Sequence, residues 1–163
     1  MVSQAEPIKT RDIHRALHVL IVEDHADTAV SMALLLRIQR HAGEVAPDGP
    51  TALKIAQAEP PDVVLLDLAL PGMDGYEVAR RLVEQPGEKR PLLIAVTGYG
   101  REEDRRRSAQ AGIDLHLVKP ADMAQLERLL RQFHRVIAEP GEETLAARIV
   151  DLSADLRLNV IPR

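Results

Sequence analysis

Five residues stand directly after short apolar runs and carry groups whose chemistries combine. Glu23 and Asp24 follow HVLIV, Asp67 follows VVLL, Thr97 follows LLIAV and Lys119 follows LHLV. Three carboxylates brought together repel one another unless a cation holds them. Oxygen donors without histidine or cysteine among them favour Mg2+, which takes a few carboxylates and keeps several waters. A carboxylate beside such an ion, flanked by a hydroxyl and an ammonium, suits in-line phosphoryl transfer, in which positive charge is needed at the equatorial oxygens. Asp67 is then the nucleophile and carries the phosphoryl group as an acyl phosphate. Taken alone, Asp67 reads equally well as the cap of the turn that follows it. The residues ending the other apolar runs are what favour a site.

The elements that must bring these residues together follow from the pattern of apolar positions. Val63 to Leu66 show no alternation, so both faces of that strand are covered, as inside a parallel sheet. Ligands bind beyond the carboxyl ends of such strands. Similar runs give strands at 18–22, 62–67, 92–96 and 114–118, with a weaker one at 44–47 whose Pro47 suits a sheet edge. Helical spacing is expected from 26 to 40, closed by Gly43, with Ala29, Val30, Ala33, Leu34 and Ile38 as its apolar positions. Further helices are expected at 49–58, stopped by Pro60 and Pro61, at 74–84, at 102–111 closed by Gly112, and at 121–137. The last buries Met123, Leu126, Leu129, Leu130 and Phe133. Five strands alternating with five helices specify an α/β fold, a doubly wound parallel sheet with right-handed crossovers.

Composition narrows the function classes. The 163 residues are 45% apolar and 28% charged, with a net charge of −4, which suits a soluble globular chain and gives no footprint for nucleic acid or an anionic membrane. Arginines at 105–107 alternate with acids and read as a solvated helix face. With no cysteine, disulfides and thiolate metal sites are excluded. Aromatics are confined to Tyr76, Tyr99 and Phe133, too few for a stacking platform. The first residues lack the apolar core of a secretory signal, and no run approaches the roughly 20 apolar residues that span a bilayer. A cytoplasmic location is the expectation.

The segments VEDH at 22–25, LLDLALPGMDGYE at 65–77, VTGYG at 96–100 and LVKPAD at 117–122 closely resemble the receiver domain of two-component response regulators, in the expected order over about 18–138. The resemblance implies a flavodoxin-like sheet of strand order 2-1-3-4-5, the order the chemotaxis regulator of this family illustrates. It implies Asp67 as phosphoacceptor, and Glu23, Asp24, Asp67 and the backbone carbonyl of Ala69 as Mg2+ ligands. Thr97, with Gly98, and Lys119 fall on the positions that meet the phosphoryl group, and the peptide before Pro120 is expected to be cis. The implied partner is a histidine kinase or histidine phosphotransfer protein, with an unknown downstream protein bound through the fourth strand, fourth helix and fifth strand. A second copy is a further candidate, through the fourth helix, fifth strand and fifth helix or through the tail.

Two positions depart from the family pattern. His116 occupies the position where Tyr or Phe often acts as a switch; an imidazole there either turns inward or stays solvated. Ala69 offers no polar side chain to orient an attacking water. His25, beside the acidic pair, reads as a half-exposed loop residue or as a contact to metal-bound water. His14, His18, His41 and His134 show no ligand spacing. The domain expectation is an extension at 1–17, a receiver at 18–138 and a tail at 139–163, where Leu145, Ile149, Leu152 and Leu156 give one amphipathic helix. That tail is too short for a winged helix or a catalytic output domain, so the chain reads as a stand-alone module or a piece of a hybrid kinase. It is not expected to be an enzyme beyond assisting its own phosphorylation. The rival readings are a phosphorylation-independent adaptor and a haloacid-dehalogenase-like phosphatase. Against the latter, Ala69 replaces the second acid of that class's motif.

Overall fold

The computed structural model describes residues 15–87, 90–98, 102–138 and 159–160. Its strands are β1 (His18–Val22), β2 (Ala42–Ala46), β3 (Val63–Asp67), β4 (Leu92–Thr97), β5 (Leu115–Val118) and β6 (Asn159–Val160). They alternate with α1 (Ala26–Ile38), α2 (Gly49–Ala58), α3 (Gly75–Glu84), α4 (Glu102–Ala111) and α5 (Met123–Ala138). The strands lie in the order β2-β1-β3-β4-β5-β6, the first five parallel and β6 antiparallel to β5. The parallel part is the flavodoxin-like order expected above.

Alternation along the buried strands divides the interior into two layers. Val19, Ile21, Val63, Leu65, Ile94 and Val96 face α1 and α5, packing against Leu36, Leu126, Leu129 and Phe133. Leu20, Val22, Val64, Leu66, Leu93 and Ala95 face the other side, against Ala52 and Ala56 of α2 and Val78, Ala79 and Leu82 of α3. All of these strand residues are at most 4% exposed, which explains why period-2 patterning is absent from their sequence.

Buried carboxylates pin the amino-terminal edge of the sheet. Asp62 accepts from the amide of His18 at 2.8 Å and from the Arg15 guanidinium at 3.1 Å, tying the start of β3 to the start of β1. Asp114 accepts from the amide of Leu93 at 2.9 Å and from Arg90 at 3.1 Å, tying β5 to β4. Both acids were absorbed into apolar strands in the sequence reading, and both serve the backbone. Asp48, Asp74 and Asp122 cap α2, α3 and α5 by accepting amide hydrogens from Thr51, Glu77 and Ala124.

Several expectations are corrected. Helix α1 buries Ala29, Met32 and Leu36, whereas Val30, Leu34 and Ile38 are 64%, 57% and 69% exposed. Leu34, Leu35 and Leu36 are consecutive and cannot all face one core, so periodicity admitted two faces and packing chose the other. Gly43 does not close α1; it lies inside β2, which starts at Ala42, and the chain turns at Arg40 with φ 65°. The end of the tail pairs with the edge of β5, Leu115 opposite Val160 and His116 opposite Asn159, so residues 159–160 form a strand. The amphipathic helix read from Leu145 to Leu156, the first 14 residues of the extension and Tyr99 lie outside the described residues.

The connection from β3 to α3 is sterically exacting. A Cβ on Gly75 would come within 2.5 Å of the Asp67 carbonyl oxygen and 2.7 Å of the Leu68 Cα. Gly75→Ala is therefore expected to lower stability by roughly 1–3 kcal/mol through overpacking, measured as a lower urea midpoint with an unchanged slope.

Candidate functional site

The candidate site sits at the carboxyl-terminal edge of the sheet, where β1, β3, β4 and β5 end together. Register places Asp67 opposite Val96, so Thr97 is one residue beyond it, and Thr97 is opposite Val118, one residue before Lys119. The Lys119 amide donates to the Thr97 carbonyl at 2.8 Å, which fastens the two strand ends. The Lys119–Pro120 peptide is cis. Beyond β3, Pro71 and Gly72, with φ 79°, turn the chain away from the site towards α3.

One ammonium organises the acids. Lys119 Nζ donates to Asp67 Oδ2 at 2.9 Å and to Glu23 Oε2 at 3.2 Å. Asp67 and Glu23 are 5% and 4% exposed, so neither charge is well hydrated and each depends on that cation. Burial alone would lower the Lys119 pKa, but the hydrogen bonds and charges of Asp67 and Glu23 outweigh it and raise it above its ordinary value. The lysine is thus an ammonium at neutral pH. Oδ1 of Asp67 accepts from the Ala69 amide at 2.9 Å, an Asx turn that orients the carboxylate.

Asp24 occupies the solvent side of the site, its side chain 30% exposed. Partial burial would raise its carboxyl, but hydrogen bonding with its own amide, His25 and Glu23, together with the charge of His25, holds it below the ordinary carboxylate range. His25 Nδ1 stands 3.5 Å from Glu23 Oε1 and 3.4 Å from Asp24 Oδ1. Three carboxylates therefore face a single lysine ammonium. That excess of negative charge and the hard oxygen donors suit a divalent cation, and Mg2+ fits this donor set.

The other expected residues are placed as follows. Thr97 is 8% exposed at the end of β4, and Gly98 is exposed, with nothing within 4 Å of where a Cβ would stand. Ala69 is exposed, its methyl group at the surface beside Asp67. His116 is not brought to the acids. It is 3% exposed and its Nε2 lies 2.6 Å from the hydroxyl of Ser108 on α4, which corrects the solvated alternative. Burial, and then the charge of Arg105, push its pKa down, against an opposing effect of Asp104, and the ring is neutral.

Sequence reasoning missed the surface beside the site. A groove of about 790 Å³ runs between α1 and the β5–α5 connection, lined in part by Glu23, His25, Met32, Leu35, Lys119 and Pro120. On α1 itself, Val30, Leu34 and Ile38 lie at intervals of one helical turn and face solvent. Three adjacent leucines were the signal for it. No described helix is long and apolar enough to cross a membrane.

Comparison with known proteins agrees with this geometry. The family model of the response regulator receiver domain matches residues 19–131. An uncharacterized 14.6 kDa protein from the sodA1 3' region of Leptolyngbya boryana is 37% identical over 118 residues, covering 72% of this chain and 89% of that protein. The response regulator PleD of Caulobacter vibrioides is 32% identical over 133 residues, 80% of this chain but 29% of PleD. The chain thus spans most of the small relative and under a third of the larger one. Among solved structures, the receiver domain of the sensor histidine kinase PA1611 from Pseudomonas aeruginosa, with a magnesium ion coordinated in its active-site cleft, is 30% identical. It superposes with a TM-score of 0.67 over 74% of this chain and 99% of that one.

The buried imidazole leads to a pH-dependent expectation. His116→Phe removes the partner of the buried Ser108 hydroxyl and should cost roughly 1 kcal/mol near pH 7.5. The wild-type ring has a folded pKa below the ordinary 6.5, so its contribution is present above that value and is lost as pH falls through the folded one. The deficit of the variant in urea midpoint should therefore shrink from pH 7.5 towards pH 5; a gap constant with pH contradicts it.

Proposed function

The chain belongs to the response regulator receiver domain family, the receiving module of two-component signalling, and we propose that it accepts a phosphoryl group from a partner's phosphohistidine onto Asp67. The observation that carries this is the Lys119 ammonium shared by two buried carboxylates, Asp67 and Glu23, at the sheet edge where ligands bind. Residues 18–138 act as the receiver unit, flanked by 1–17 and 139–163. The protein is a signalling phosphoacceptor and works in the cytoplasm.

In the transfer, an oxygen of Asp67 attacks phosphorus as the bond to the histidine nitrogen breaks; the partner's ring, protonated at its other nitrogen, leaves as a neutral imidazole, and Asp67 carries the acyl phosphate. Glu23, Asp24, Asp67 and the carbonyl oxygen of Ala69 would hold Mg2+, which would supply positive charge for the phosphoryl oxygens. The magnesium in the related receiver of PA1611 supports that choice of ion. Lys119 already stands at Asp67 and pairs with the incoming oxygens. The Ala69 amide keeps the carboxylate in one orientation during approach.

The switch follows from the new charge. Thr97, flanked by the open Gly98, turns its hydroxyl to the phosphoryl group, and the strand end it shares with Lys119 shifts with it. His116 and Ser108 transmit that shift to α4, changing the affinity of the β4–α4–β5 face for a downstream protein. The apolar stripe of α1 beside the groove suits a helix-bearing histidine kinase or phosphotransfer partner, because a helix face presents matching intervals.

With Mg2+ and acetyl phosphate, the full chain should gain the mass of one phosphoryl group, and Asp67→Asn should not. An adduct independent of Mg2+, or equal on the variant, sinks the reading. Ala69 leaves nothing to orient a hydrolytic water, so the phosphoaspartate should persist for minutes or longer. Ala69→Asn should shorten its lifetime severalfold in a radiolabel chase.

A further inference from the structure

We propose that a cavity at the amino-terminal edge of the sheet, the edge opposite the acidic site, binds a small molecule carrying a phosphate monoester, with Arg40 and Arg135 holding the phosphate. The inference does not depend on Asp67 being a phosphoacceptor. The cavity, of about 450 Å³, lies where the segment before β1, the turn from α1 to β2 and the carboxyl-terminal half of α5 meet. Its wall carries four guanidinium groups, from Arg15, Arg40, Arg131 and Arg135, and one carboxylate, Glu127. Two of the four are neutralised, Arg131 by Glu127 at 2.7 Å and Arg15 by Asp62 at 3.1 Å. Arg40 and Arg135 have no ion-pair partner among the described residues. Two uncompensated positive charges thus remain in one cavity of a chain whose net charge is −4. The buried acids of this edge are spent on the backbone; the cations are not.

The backbone singles out Arg40. Helix α1 ends in a Schellman turn, in which the Arg40 amide donates to the Arg37 carbonyl at 3.0 Å and the His41 amide to the Leu36 carbonyl at 2.9 Å. That turn sets Arg40 at φ 65°, a left-handed conformation that glycine adopts without steric cost. Cations in the last turn of a helix complement its dipole, and this accounts for the place of Arg135 in α5. It does not account for an arginine at the glycine position of α1, nor for the convergence of three segments on one cavity. Two histidines fix the wall between those segments. His41 Nδ1 accepts from the Leu17 amide at 3.2 Å, and His134 Nε2 donates to the Arg15 carbonyl at 2.7 Å. Guanidinium forks match phosphate oxygens two at a time, and a doubly charged phosphate monoester balances two of them. The volume falls in the range of small-molecule sites, roughly 300 to 1,000 Å³, and leaves room for more than the phosphate.

The probes are adenosine monophosphate, inorganic phosphate and succinate, titrated into the full chain in metal-free buffer and followed by amide NMR. Adenosine monophosphate should give saturable shifts at Arg40, His41 and Arg135 and bind at least as tightly as phosphate, with succinate weaker than both. Arg40→Gln and Arg135→Gln should each weaken it about tenfold or more, as loss of a hydrogen bond to a charged group does. Arg128→Gln, which removes an exposed arginine of α5 outside the cavity, should leave the affinity unchanged. Circular dichroism checks that each variant is folded. An equal loss in Arg128→Gln reduces the binding to general charge attraction and overturns the proposal. It is overturned as well by the absence of saturable shifts, by shifts confined to Thr97 and Lys119, by phosphate binding without adenosine monophosphate, or by succinate binding as tightly as the nucleotide.

Discussion

Two buried carboxylates from different strands share one ammonium, and the arrangement of this molecule depends on that constraint. Glu23 and Asp67 are almost wholly removed from water, and like charges at such a position cost several kcal/mol unless compensated. Lys119 compensates them only because β5 ends beside β4, β4 beside β3 and β3 beside β1. The same edge leaves Asp24 partly exposed, so the site retains uncompensated negative charge on its open side. A divalent cation would offset that imbalance.

The scaffold keeps the opposite edge for stability. Asp62 and Asp114 are as buried as Asp67, yet they bond backbone amides and arginines at the amino ends of the strands. Acids on that edge are saturated by fixed donors and have no reason to recruit a ligand. The distinction separates two kinds of buried carboxylate in one small sheet: one kind holds strands together, and the other holds charge in reserve. Gly75 belongs to the same division, since its missing side chain lets the loop after Asp67 fold directly onto the strand end.

Three surface features lie around the site. The neutral His116 and the Ser108 hydroxyl join β5 to α4 by a bond that an aliphatic residue does not make. Helix α1 exposes an apolar stripe on the side away from its own core, next to the groove that opens on Lys119. The short β6 covers part of the β5 edge, so residues 159–160 lie against the strand that runs to that lysine. Each feature places a surface element within one strand or helix of Lys119.

Alternation of apolar runs with helical spacing was enough to specify the parallel sheet, because strands covered on both faces leave a distinctive unbroken pattern. Residue types after four of those runs were enough to name Asp67, Glu23, Thr97 and Lys119 as one group, since parallel strands bring their ends to a common edge. Strand direction separated Asp67, at the carboxyl end, from Asp62, at the amino end, but the partners that fix each role, Lys119 for Asp67 and Arg15 with the His18 amide for Asp62, are distant in the chain and were not legible. Nor did periodicity decide which side of α1 faces the sheet, because that helix is apolar nearly all round and only packing against Leu36 and Met32 selects a face. His116 was legible as a position but not as a contact, and the pairing of residues 159–160 had no local signal. Local pattern determines what each segment can be; burial, and the partner found across the sheet, decide what each charged or polar group does.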